Sequence, residues 1–102
     1  MKRVFISQPM RDKTASEIIL ERNKAISDIV NKLGEDVYII DTYLTEGPMD
    51  VPPLWYIGKS LELMSTADIV YFTEGWERYR GCRIEHLAAY EYNIKIMNYA
   101  ED

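Results

Sequence analysis

The sequence predicts one α/β domain spanning residues 1–102, a three-layer sandwich on a short parallel sheet of about four strands with three helices. Three observations lead there. Short β-branched and aromatic runs alternate with longer segments of helical periodicity. The second run, Val37-Tyr38-Ile39-Ile40, is apolar without clean alternation, as in a strand covered on both faces. The connections are long enough to need crossovers, which return the chain in the same direction and place helices on both sheet faces.

Val4-Phe5-Ile6 reads as the first strand and is broken by the polar loop from Ser7 to Thr14. Thr14-Ala15-Ser16-Glu17 is a capping box, in which the Thr hydroxyl accepts the Glu17 amide and the Glu carboxylate reaches back. Ile18, Ala25, Ile26, Ile29, Val30 and Leu33 then form one apolar helical stripe, and Gly34 supplies the stop. After the second strand, Asp41 to Pro53 contains Gly47, Pro48, Pro52 and Pro53 and reads as loop. Leu54, Ile57, Leu61 and Met64 mark a second helix. Ile69-Val70-Tyr71-Phe72 is a third strand, followed by a loop with Gly75 and Trp76. The pattern from Gly81 to about Tyr92 is helical, with Ile84, Leu87 and Ala88 expected to face inward, and Ile94 to Tyr99 closes the sheet. This is a flavodoxin-like or Rossmann-like order. In such sheets ligands bind beyond the carboxyl ends of the strands, where the strand order reverses.

Composition narrows the functional classes. Val, Ile, Leu and Phe make up about a quarter of the chain, too apolar for a disordered segment. The formal charge of −5 argues against a nucleic-acid partner, which favours a basic patch. No apolar run approaches the roughly 18 residues of a membrane span, and the N-terminal Met-Lys-Arg-Val-Phe-Ile-Ser turns polar too soon for a signal peptide. A single cysteine staples nothing internally, so a cytoplasmic setting is the simplest expectation. Cys82 lacks partners at metal-ligand spacing and reads as a buried packing residue. No metal or other cofactor is expected.

Two loops offer chemistry. Ser7-Gln8-Pro9-Met10-Arg11-Asp12-Lys13 carries two cations into a helix N-terminus, where amides and dipole favour an anion. It lacks the glycines of a phosphate-binding loop, and a solvated turn is the alternative. The second is Gly75 to His86. Glu85 falls about one turn into the last helix, where the dipole favours its ionised form. Gly81, four residues earlier on the same face, removes a side chain from above it. An ionised, accessible carboxylate suits a nucleophile, whereas a surface Glu paired with Arg78 or Lys95 is the structural alternative. His86 is offset from Glu85 by about 100 degrees, so it reads as solvent-facing or helix-packing. Trp55 and Trp76 suit either stacking on a flat ring or packing at the sheet edge.

Three motifs resemble the nucleoside 2-deoxyribosyltransferase-like superfamily, including its small bacterial and phage members. They are Val4-Phe5-Ile6-Ser7-Gln8-Pro9-Met10-Arg11, Ser65-Thr66-Ala67-Asp68-Ile69-Val70-Tyr71-Phe72, and Gly75-Trp76-Glu77-Arg78-Tyr79-Arg80-Gly81-Cys82-Arg83-Ile84-Glu85-His86. The likeness spans nearly the whole chain apart from the proline-rich middle loop. It implies that Glu85 attacks the anomeric carbon of a deoxynucleoside or its monophosphate, releasing a nucleobase through a glycosyl-enzyme. It implies that Arg11 holds a 5′-phosphate, and that Ser7, Gln8, Pro9, Met10, Asp41, Ser60, Trp76, Tyr79 and Gly81 line the substrate site. Ser60 stands where the family usually has Asp, Tyr79 where it has Asp or Ser, and Gln8 where it has Gly.

The leading expectation is therefore an N-glycosidase or deoxyribosyltransferase-like enzyme acting on a small nucleoside or nucleotide. A nucleotide-binding module that has lost turnover is the alternative suggested by Ser60 and Tyr79. Cleavage of NAD-like dinucleotides is a weaker one, resting on fold analogy. At 102 residues the chain has little room for the C-terminal segment with which longer relatives complete a neighbour's site, which favours a hydrolase or a binder. The middle helix, with Leu54, Trp55, Tyr56, Ile57, Leu61, Leu63 and Met64, carries more apolar surface than one stripe needs. A homodimer or higher homo-oligomer is expected.

Overall fold

A computed structural model describes residues 1–34, 36–42 and 51–100. Strands β1 (Lys2–Ser7), β2 (Val37–Ile39), β3 (Ile69–Phe72) and β4 (Lys95–Asn98) alternate with helices α1 (Ala15–Leu33), α2 (Pro53–Met64) and α3 (Arg80–Glu91). A single 3-10 turn, Trp76–Arg78, precedes α3. The strands form one parallel sheet in the order β2-β1-β3-β4. The α/β sandwich is the flavodoxin- or Rossmann-like arrangement expected. Its order reverses between β1 and β3, whose carboxyl ends Ser7 and Phe72 are register partners.

The two central strands bury every residue from Val4 to Ser7 and from Ile69 to Phe72, which is what a continuous apolar run requires. One sheet face, built from Val4, Ile6, Ile69, Tyr71 and Met97, packs on Ala25 and Ile29 of α1. The other, Phe5, Val70 and Phe72, packs on Met64 of α2 and Ala89 of α3. The α1 cap is made as its sequence demands: the Glu17 amide donates to Thr14 Oγ1 at 3.1 Å and the Thr14 amide to Glu17 Oε1 at 3.0 Å. Gly34 ends the helix at φ +83, a conformation that favours glycine.

Three local expectations change. β2 is an edge strand with Tyr38 46% exposed, so it is not covered on both faces. The connection expected to run through Pro53 ends one residue sooner, because Pro53 is the first residue of α2, where its missing N–H costs nothing. The Gly47-Pro48 part of that connection lies outside the described residues. On α3 the buried residues are Cys82, Glu85 and Ala89, while Ile84 and Leu87 stand exposed. The helix is thus rotated from the most apolar orientation, and it carries a carboxylate into the sheet. No helix of the described residues is long and apolar enough to cross a membrane.

Candidate active site around Glu85

Glu85 sits on the second turn of α3, facing the carboxyl end of β1. Strand alternation turns Phe5 and Ser7 toward the α2/α3 side of the sheet and Val4 and Ile6 toward α1. Ser7 is fully buried, and its Oγ donates to Glu85 Oε1 at 2.6 Å. The Ser60 hydroxyl, arriving from α2, also hydrogen-bonds the Glu85 side chain. The carboxylate therefore joins three elements that are distant in sequence.

Glu85 is only 6% exposed, which corrects the expectation of an accessible carboxylate. Burial raises its pKa, and the hydrogen bonds from Ser7 and Ser60 pull in the opposite direction without cancelling it. Desolvation thus acts against the ionised form that the helix dipole favours. The surface alternative falls as well, since Glu85 is buried and bonds the buried Ser7 and half-buried Ser60 hydroxyls instead of Arg78 or Lys95.

Gly81 does not open a space over Glu85. A Cβ there would meet Ile57 Cδ1 at 3.1 Å, so the missing side chain admits α2 against α3. Tyr79 caps α3 and lies half-buried, with Lys13 Nζ 5.9 Å from its ring centroid. Trp76 stacks on His86 at 4.3 Å between centroids and leans on Phe72, so both rings pack at the carboxyl end of the central strand β3. Of the two roles expected of His86, solvent-facing or packing, the structure shows packing, against Phe72 of β3 and Trp76.

The first loop divides in two. Gln8 and Pro9 are buried, and Gln8 Nε2 donates to the Ile18 carbonyl at 2.6 Å, tying β1 to α1. Met10 is half-buried. Arg11 projects from the surface with its side chain 73% exposed and approaches Asp12 at 4.0 Å. Asp41 is exposed at the exit of β2 and acts on Arg22, which bonds the Ile40 carbonyl and Thr42 Oγ1. The structure therefore gathers Ser7, Ser60 and Glu85 into one cluster, with Tyr79 and Gly81 on the same helix turn, and leaves Arg11 and Asp41 at the surface.

Cys82 is buried, as its lack of metal-ligand spacing led one to expect, but its place beside Ser7 and Glu85 was not foreseen. It shares Ser7 as a hydrogen-bond partner, and burial pushes its thiol up to about 11. The available signal was spacing, because Cys82, Glu85 and Ala89 recur on one helical face. Among the described residues, no group of three or more His, Cys, Asp or Glu side chains is placed to hold a metal ion. No family model, curated protein or solved structure matches the chain.

Proposed function

We propose that this protein is an N-glycosidase of nucleosides or their monophosphates, similar to the nucleoside 2-deoxyribosyltransferase-like superfamily, with Glu85 as nucleophile. The observation that carries the reading is a single carboxylate held by two hydroxyls at the β1/β3 reversal of a parallel sheet. A Glu85 oxygen bonds to the anomeric carbon while the C–N bond breaks. The base departs with the bonding electrons and takes up a proton. Water then releases the sugar, or a second base takes it. Ser7 and Ser60 hold the carboxylate in one rotamer, so less ordering remains to be done as charge builds on the sugar.

Access requires movement of α2. Its one fully buried residue, Met64, lies at its C-terminal end, whereas Ile57 and Ser60 cover the α3 turn that bears Glu85. Withdrawal of the N-terminal half of α2 about that anchor admits a sugar. Arg11, exposed on the neighbouring loop, is the group proposed to meet a phosphate. The setting is proposed to be cytoplasmic.

The deciding experiment incubates the protein with the deoxynucleosides and their monophosphates and follows free base. Release that disappears in Glu85→Gln is the expected outcome; release no higher than in that variant overturns the assignment. The burial of Glu85 favours a second reading, a binding module without turnover. It predicts thermal stabilisation by a nucleotide with no base released.

The α2/α3 layer is proposed to carry a self-association face, since Leu54, Leu87 and Ile84 are 72%, 59% and 39% exposed there. Light scattering after size exclusion is expected to give at least twice 12.0 kDa. Leu87→Lys should return the monomer.

A further inference from the structure

A groove of about 490 Å³ opens on the opposite side of the sheet from Glu85, between α1 and the 3-10 turn. Its floor is formed by Ala25 and Tyr71, which belong to the core on the α1 face. Tyr79 and Tyr99 stand in its walls, making three aromatic phenols along one cleft. This volume falls in the range of small-molecule sites, roughly 300–1,000 Å³.

The charges in the groove are unevenly satisfied. Glu21 is held by Lys13 at 2.6 Å, and Asp28 by Lys32 at 3.2 Å and by the Tyr71 hydroxyl. Those two carboxylates are neutralised within the protein, and Lys13 keeps its proton more firmly for it. Lys24 on α1 and Arg78 on the 3-10 turn have no side-chain partner among the described residues, and both border the cleft. Glu74 is the one groove carboxylate whose side chain has no described partner. Three cations and three carboxylates thus line the groove, and once the Lys13–Glu21 and Lys32–Asp28 pairs are set aside, Lys24 and Arg78 stand against Glu74 alone. Two cations without a described side-chain partner, beside aromatic walls, suit an anion attached to a ring.

We propose that this groove binds a ring-bearing phosphomonoester, the phosphate lying between Lys24 and Arg78 and the ring against the tyrosines. Arg78 is suited to two parallel hydrogen bonds with phosphate oxygens, and Lys24 supplies a compact charge from the facing wall. The groove lies on the α1 face of the sheet and the Glu85 cluster on the α2/α3 face, and the two approach each other only at Tyr79, the N-cap residue of α3.

Phenyl phosphate, inorganic phosphate and phenol serve as probes, titrated into ¹⁵N-labelled full-length protein. Phenyl phosphate is expected to shift the amides of Lys24, Gly75 and Tyr79 with the tightest dissociation constant of the three. Lys24→Ala and Arg78→Ala, both at exposed positions, should each weaken it about tenfold, as for one lost charge-assisted hydrogen bond. Glu85→Gln should leave it unchanged, which separates this site from the catalytic reading. Three results would each overturn the proposal: no groove amide moves, binding is equal in the Lys24/Arg78 double variant, or phenol binds as tightly as its phosphate ester.

Discussion

At Glu85, burial and hydrogen bonding act in opposite directions, and burial prevails. A carboxyl whose pKa is higher in the folded chain than in the unfolded one stabilises the fold at low pH. That contribution is lost as pH rises through the raised value. Glu85→Gln cannot ionise and keeps its contribution throughout. The variant is therefore expected to melt above the parent protein at pH 8, with the difference closing toward pH 4. Calorimetry at both pH values checks this, and a difference independent of pH would mean that Glu85 is not desolvated. Base release should run the other way, rising with pH as the nucleophile ionises, with its inflection above the usual carboxylate range. Stability and activity at this residue thus oppose each other.

Helix α2 is the weakly anchored element. Only Met64 of its twelve residues is fully buried, and Gly58 sits in its middle with open space around the position of a Cβ. Alanine there removes backbone freedom from the unfolded chain and meets nothing in the folded one. Gly58→Ala should raise stability by about 0.5–1 kcal/mol, read from the urea midpoint at constant m. α1 is the contrast. Its Thr14 cap, its buried stripe and its Gly34 stop agree with one another, and each was legible in the sequence because each depends on residues a turn or less away. The inward face of α3 was not legible. Apolar spacing favours Ile84 and Leu87, yet Glu85 turns inward because Ser7, 78 residues away, and Ser60 of another helix satisfy it. No local pattern carries that information.

Across the whole molecule, the centre of the sheet holds the core and the candidate site together. Phe72 is fully buried in β3, packs on Trp76 and His86, and pairs in register with Ser7, the donor to Glu85. Phe72→Ala should cost about 3–5 kcal/mol, a large part of the roughly 5–15 kcal/mol that stabilises a small domain. Urea unfolding is expected to show that loss, with any base release falling in the same variant. A cost under about 1 kcal/mol would show that the β3 edge repacks and does not position the site.

The order of strands and helices, the capped first helix and the buried central strands follow from the sequence. Period, cap chemistry and β-branched runs act over a few residues, and the topology that joins them has few alternatives. The residues of the candidate site were legible as types, a serine at a strand end and a glutamate one turn into a helix. Tertiary structure decided what they meet. It placed β1 between β2 and β3, brought α2 over α3 through Gly81, and buried Glu85 against two hydroxyls. A carboxylate enters a core only where donors from other elements wait for it, and their positions exist only once the chain has folded.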